Sequence, residues 1–382
     1  MKKIGIDIRN IGKKRTGDEV VFFNLVKNLA QIDSQNEYWL FTDIVESEKI
    51  SDIRTWLEIK NKLNFKIISL KTKNRYTWNF WTLPRYLRKN PVNTYLTQYI
   101  TPFFVPKKIK IATIVHDVSF KVYRQYIKKT DLFFLDLLIP LSFKRAAKII
   151  TVSKFTRDEI LKYYKVAEKK VDWIQNAVSD NFHCEITEKK LNFTKNKYRL
   201  PKKFILYIGT LQPRKNIPTL IEAYAGLPNT IKKEVKLVLA GGKTHNYDLR
   251  IDKIIKKHSL KSDVFLPGFI AEEDKPSLFK LSYVFCNPSF YEGFGITVLE
   301  AMTLGIPSII SDIPPHQEIA GNSVFYFKPC DSATELTKAL NSVLIEKDLR
   351  DELIQRGLEQ AQRFSWKKTA ENLTIIFKQL EN

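Results

Sequence analysis

The stretch NPSFYEGFGITVLEAMTLGIPSII, residues 287–310, places Glu292 and Glu300 eight positions apart, with Gly293 and Gly295 between them. An apolar helix pattern begins near Gly295. Its first turn presents free N–H groups and the positive end of the helix dipole, a seat for an anion. The two glycines let the backbone approach a ligand closely. Glu300 falls about one and a half turns into that helix. From there a carboxylate reaches a neighbour of a bound phosphate rather than the phosphate itself. A ribose diol is such a neighbour, because a carboxylate accepts two hydroxyl hydrogen bonds. Glu292, ahead of the turn, can accept from hydroxyls on the far group. The two acids then bracket a diphosphate. The plainer alternative is an acid at a helix start and a solvated glutamate.

Two more clusters carry chemistry. In YIGTLQPRKNIPTL, 207–220, a glycine turn is followed by Arg214 and Lys215 just before a helix. Adjacent cations on such a loop can neutralise a diphosphate leaving group. In TIVHDVSF, 113–120, His116 ends an apolar strand. It can donate to a substrate hydroxyl, or it can be purely structural.

The elements that must position these residues alternate between short apolar runs and amphipathic segments. Strands are expected at 2–8, 38–42, 65–70, 94–99, 110–117 and 148–153, with helices at 19–31, 75–89, 131–147 and 154–163 and a closing segment at 171–178. A second series has strands at 204–209, 235–241, 264–268, 283–289 and 306–311, with helices at 217–226, 246–258, 272–281, 295–304 and 331–346. Such alternation builds βα units on a parallel sheet, so an α/β fold with two doubly wound domains is expected. A polar linker is expected near 180–200. Ligands of open α/β sheets bind beyond the carboxyl ends of the strands, where all three clusters fall. The last helix, 365–380, carries Trp366, Ala370, Leu373, Ile376 and Phe377 on one stripe.

Composition sets the bounds. The 382 residues are 44% hydrophobic and 27% charged, which suits two globular domains rather than a disordered chain. Cys184, Cys286 and Cys330 lie scattered, which argues for a reducing compartment rather than a disulfide framework. No HxH, HExxH or DxD spacing occurs, so no metal site is expected. The longest apolar run, LFFLDLLIPLSF at 132–143, is broken by Asp136 and Pro140 and is shorter than the ~20 residues a membrane span needs. The expectation is a protein that is soluble or rests on a membrane without crossing it.

The net charge of +22 is uneven. Residues 1–183 hold 34 Lys and Arg against 18 Asp and Glu (+16), and the rest hold 29 against 23 (+6). An anionic partner for the first half is one reading, a solvated basic surface the other. No RNP, KH, zinc-finger or helix-turn-helix signature supports a nucleic-acid partner. The segment RYTWNFWTLPRYLRK, 75–89, reads as a membrane-interface helix or as a core helix with snorkelling cations. Pro84 breaks the amphipathic pattern and favours the core reading.

Together these clusters resemble glycosyltransferase family 4, retaining enzymes with the GT-B fold. The resemblance runs over nearly the whole chain. It rests on the opening strand and glycine loop, VHD, AAKIITVSKFTRDEI, YIGTLQPRKNI, VLAGG, FLPGFI, the segment from Glu292 to Glu300 and the closing helix. It implies two Rossmann-like domains facing a cleft. Residues 1–183 would bind the acceptor, with helix 365–382 packing back on them, and 184–364 would bind the donor. By the resemblance, Glu292 contacts the donor sugar and Glu300 the ribose. Gly293, Phe294, Gly295 and Ile296 form the loop whose amides meet sugar and phosphate. Arg214 and Lys215 face the diphosphate, either one being its principal ligand. His116 orients the reacting sugar, and Gly17 approaches the donor phosphate.

Two departures stand out. Thr210 occupies the place where many members carry an arginine, and Asp18 and Glu19 follow Gly17 in a loop that shapes the acceptor site. The implied activity is retaining, metal-independent transfer of a hexose from a nucleotide-diphosphate sugar, with no cofactor. GTLQPRKN and SDIPPHQEIAG are similar to mannosyltransferase members, which suggests GDP-mannose. The acceptor would be a glycan or lipid-linked sugar of a cell-surface polysaccharide or glycolipid. The enzyme would be cytoplasmic, on an anionic inner membrane face, and its oligomeric state stays open. The competing expectations are a non-hydrolysing nucleotide-sugar epimerase, whose catalytic set is not evident, and a basic nucleic-acid-binding protein.

Overall fold

The computed structural model describes residues 1–13, 19–243 and 246–380 fully, and places 17, 18 and 381 in helices without their side chains. The chain forms two compact units. The first comprises Met1–Lys121, Lys128–Ala177 and Ser365–Asn382, the second Val122–Ile127 and Val178–Phe364. The division thus falls at Ala177 rather than 183, and a six-residue excursion at 122–127 joins the second unit.

The first unit holds seven strands, β1 (Lys3–Asp7), β2 (Glu37–Thr42), β3 (Phe65–Ser69), β4 (Thr94–Gln98), β5 (Lys110–Val115), β6 (Lys148–Thr151) and β7 (Val171–Trp173). They are parallel, in the order β3-β2-β1-β4-β5-β6-β7. Its main helices are α1 (Gly17–Ile32), α2 (Ser47–Trp56), α3 (Leu83–Lys89), α4 (Lys129–Arg145) and α5 (Lys154–Tyr163). The closing helix, Trp366–Glu381, packs on α1. The apolar stripe expected for it, Trp366, Ala370, Leu373, Ile376 and Phe377, is buried.

The second unit holds β8 (Phe204–Ile208), β9 (Lys236–Ala240), β10 (Val264–Gly268), β11 (Val284–Asn287), β12 (Ser308–Ser311) and β13 (Phe325–Phe327), parallel in the order β10-β9-β8-β11-β12-β13. Every residue of β8, β11 and β12 is buried. That explains their continuous apolar runs, since a strand covered by helices on both faces has no wet side. The order reverses between β8 and β11. The loops leaving these neighbouring strands therefore emerge side by side, which is where a doubly wound sheet binds ligands.

The linker expected near 180–200 is instead structured. Glu188–Lys197 is a helix of the second unit, capped by the Thr187 hydroxyl accepting from the Lys190 N–H. Lys190 and Lys197 hold the buried Asp274 carboxylate at 2.5 and 2.6 Å, and Tyr198 donates to it at 2.9 Å. Burial alone would raise the Asp274 pKa, but these donors hold it below its ordinary value.

The 75–89 segment is divided. A three-residue turn, a π-helical stretch at Trp78–Thr82 and α3 follow one another. Trp78, Leu83 and Leu87 enter the core, and the Arg9 guanidinium lies 4.5 Å from the Trp78 ring centre. Trp81 points the other way and is 71% exposed. The core reading therefore holds for one face of this segment only.

Candidate active site

The site is built from the two loops at the β8/β11 reversal. After β8 the chain passes Thr210, which is exposed and whose carbonyl accepts from the buried Tyr207 hydroxyl at 2.9 Å. A short 3-10 turn at Pro213–Lys215 follows, ended by Asn216 in the left-handed conformation (φ 55°). Asn216 is the clamp of this loop. Its amide donates to the carbonyls of Pro288 at 3.1 Å and Cys330 at 2.7 Å, and its side-chain oxygen accepts from Thr219 at 2.6 Å. The Phe290 N–H donates to the Arg214 carbonyl at 3.0 Å. These bonds hold Arg214 and Lys215 against the segment that leaves β11.

That segment carries Glu292. Its carboxylate is buried and receives Lys215 Nζ at 2.5 Å, with Arg214 Nη1 at 3.7 Å. The Arg214 Nη1 also donates to the Tyr291 carbonyl at 3.1 Å. The Ser289 hydroxyl lies 2.7 Å from Glu292 Oε1 and 2.6 Å from Asn287 Oδ1, so its single proton is shared between two acceptors. Burial works to raise the Glu292 pKa, but Lys215 and Arg214 outweigh it and bring it down to about 2. Glu292 is therefore a carboxylate at neutral pH and pins two cations at one spot.

Gly293 and Gly295 follow, both buried, and Gly295 caps the helix Ile296–Thr303. Its φ of 104° lies where L side chains are strained. A Cβ here would meet Ile319 Cδ1 at 3.3 Å and His316 Cδ2 at 3.4 Å, so the glycine is demanded by both backbone and space. Phe294 is buried against Phe364, ring centres 6.0 Å apart, and half-exposed Ile296 begins the helix. Glu300 lies within this helix, buried, and its Oε2 has no hydrogen-bond partner among the described residues. Burial pushes its carboxyl up to about 7; the nearby Lys275 opposes the rise and Glu272 adds to it.

Two family profiles match, Glycosyltransferase Family 4 over residues 16–182 and Glycosyl transferases group 1 over 188–360. The Escherichia coli O-antigen chain mannosyltransferase B is 30% identical over 280 residues, 73% of each chain. This chain belongs to glycosyltransferase family 4. Among solved structures, the sucrose-phosphate synthase of Thermosynechococcus elongatus superposes with a TM-score of 0.76 at 18% identity, covering 100% of this chain and 99% of that one. Anabaena Alr3699/HepE, solved in complex with UDP and glucose, superposes with a TM-score of 0.73 at 16% identity, covering 99% and 100%. At those identities they establish the fold, which is GT-B.

In this glycosyltransferase, then, Arg214, Lys215, Glu292, Gly293, Phe294, Gly295, Ile296 and Glu300 share one edge of the second unit. His116 belongs to the first unit, where its Nε2 lies 3.2 Å from Gln98 Oε1 and its ring 5.8 Å from that of Tyr99. Gly17 lies outside the fully described residues. Also in the first unit, a cavity of about 390 Å³ is lined by Gly12, Lys13, Glu19, Phe23 and Trp56, and the Gly12 N–H donates to Glu19 at 3.2 Å.

Several site residues escaped the sequence reading. Asn216, Ser289, Ser311 and His316 were not singled out. His316 is fully buried beneath Gly295, with Nδ1 2.8 Å from the Ser311 carbonyl. A carbonyl only accepts, so Nδ1 carries the proton. Burial lowers the His316 pKa, against the pull of Glu292. The signal for Ser289 was its place three residues before Glu292. For His316 the signal was a histidine shortly after Ser311, which ends β12.

Proposed function

We propose that this chain is a retaining hexosyltransferase that takes its sugar from a nucleotide diphosphate, GDP-mannose being the first candidate. The observation that carries the reading is the buried ion cluster of Glu292, Lys215 and Arg214 at the start of the helix that bears Glu300. Transfer requires that the bond from the sugar's anomeric carbon to the diphosphate break and that the oxygen of an acceptor hydroxyl take its place, its proton passing to the departing diphosphate. The leaving group departs with the bonding electrons and needs fixed positive charge. Arg214, Lys215 and the first N–H groups after Gly295 supply it without reorganising. Glu292 accepts from sugar hydroxyls and holds Lys215 in place, and Glu300 accepts from the ribose. His116 is assigned to a hydroxyl of the reacting sugar.

This charge arrangement supports chemistry without a divalent metal. Mannose is favoured by the relative's mannosyltransferase activity, and the UDP complexes of HepE make uridine donors the next to try. The acceptor is read as a glycan or lipid-linked sugar of a surface polysaccharide, bound by the basic first unit on an anionic membrane face. A panel of nucleotide sugars tests the reading. GDP-mannose should raise the melting temperature and release GDP when acceptor is present, with the anomeric configuration retained by NMR. If no nucleotide sugar stabilises the protein or is consumed, the reading fails.

A further inference from the structure

The longest apolar run of the chain does not end up in the core. Helix α4 buries Leu138, Ile139, Ser142 and Phe143. Its opposite face leaves Phe133 65%, Leu137 49% and Leu141 44% exposed, with Phe134 beside them at 42%. Residues 133, 137 and 141 recur every four positions and so form one stripe. A helix that is apolar all round is normally enclosed, and this one is open along a whole side.

The stripe continues onto neighbouring elements of the same unit. Tyr76 and Phe134 have ring centres 5.7 Å apart, which joins α4 to the 75–82 turn. Trp81 stands in solvent on that turn. Phe80 stacks on Phe103 at 4.6 Å and lies 6.4 Å from Phe104. Phe104 is 67% exposed and has a φ of 60°, a conformation that disfavours a bulky residue. The Arg88 guanidinium donates to the Phe104 carbonyl at 3.1 Å and helps hold it there. A strained backbone that keeps a phenylalanine in water points to a use for that side chain.

The charge around this face selects the partner. Residues 59–116 contain 12 Lys and Arg and not one Asp or Glu. All twelve are exposed, among them Lys73, Arg75, Arg85 and Lys107 on the segments that carry Trp81 and Phe104. Aromatic and leucine side chains flanked by exposed cations match the interface of a bilayer that carries anionic lipid. We propose that the α4 stripe with Trp81 and Phe104 is the surface by which this enzyme docks on an anionic membrane. It rests on the membrane reading given above and replaces a diffuse basic surface with one face. No helix among the described residues is long and apolar enough to cross a membrane, and the proposed attachment runs through these elements.

Full-length protein is sedimented with vesicles of phosphatidylcholine and with vesicles of phosphatidylcholine plus phosphatidylglycerol. Binding should require phosphatidylglycerol and weaken with salt. The double variant F133S/L137S and, separately, W81S should each bind about tenfold more weakly. Their side chains stand largely in solvent, so melting temperature and nucleotide-sugar affinity should not change. Variants that bind like the parent, or a parent that ignores both vesicle types, would overturn the proposal. So would light scattering that shows a dimer dispersed by F133S/L137S, which would give the face to a second copy. Loss of the transferase reading has a separate signature, since it would appear as absent donor turnover with vesicle binding intact.

Discussion

The two ends of one short segment treat the same side chain in opposite ways. Glu292, before the glycine turn, is buried among Lys215, Arg214 and Ser289 and has its pKa drawn down to about 2. Glu300, within the helix that follows, is buried with an unpartnered oxygen and has its pKa pushed up to about 7. Both carboxyls are desolvated, and fixed cations decide the difference. One acid is complete without a ligand, while the other waits for donors. In the proposed roles, a ribose diol would provide two such donors to Glu300, and a sugar hydroxyl would add to the charged Glu292 site.

The largest effect should come from Glu292→Gln. It keeps the shape but removes the charge that holds Lys215, and turnover should fall on the order of a hundredfold or more. Unchanged turnover in a correctly folded variant would break the comparison at its first end. Lys215→Ala should follow. It leaves a buried carboxylate with the Ser289 hydroxyl and, as a cation, the more distant Arg214, at a cost of about 3 kcal/mol in stability, read by urea denaturation. Because the Glu292 pKa is depressed when folded, this contribution is present above its unfolded pKa near 4.5 and is lost as pH falls toward 2.

Glu300 has the opposite sign. Its folded pKa lies above the unfolded value, so the buried carboxyl weighs against folding as pH rises from about 4.5 through about 7. Glu300→Gln should therefore gain stability over the parent at pH 8 and match it near pH 4.5. A gain that does not depend on pH would place the cause elsewhere. Smallest of all should be the effect of EDTA, because Arg214 and Lys215 already supply the positive charge. Loss of activity on chelation, restored by Mg²⁺ or Mn²⁺, would show that they do not suffice.

What was legible in the sequence follows from burial. β8, β11 and β12 are covered on both faces, so they read as unbroken apolar runs ending just before the site. Helices α2 and 188–197 were missed because they bury little, only Ile53 in the first and Thr194 in the second. The roles of single residues in the ion cluster were harder. Lys215 and Glu292 lie 77 positions apart and meet only because β8 and β11 are neighbours in the sheet. Composition marks both as charged, but no local pattern says that they are paired with each other. The same limit hid the α4 face. The run at 132–143 was visible, yet which of its residues would stay in water depended on what packs against the helix.

Calorimetric titration at neutral pH and again at acidic pH tests the division of labour between the two glutamates most directly. The parent, Glu292→Gln and Glu300→Gln are each titrated with GDP, or with UDP if the donor screen selects uridine, and then with the matching nucleotide sugar. The account predicts that Glu300→Gln weakens both ligands alike, by about tenfold, and removes the loss of affinity that the parent shows below about pH 7. It predicts that Glu292→Gln does not weaken the bare nucleotide, because Lys215 and Arg214 keep their charge and lose a competing carboxylate, and that it weakens the sugar-bearing ligand relative to the bare one. Equal weakening of the bare nucleotide by both variants would contradict it.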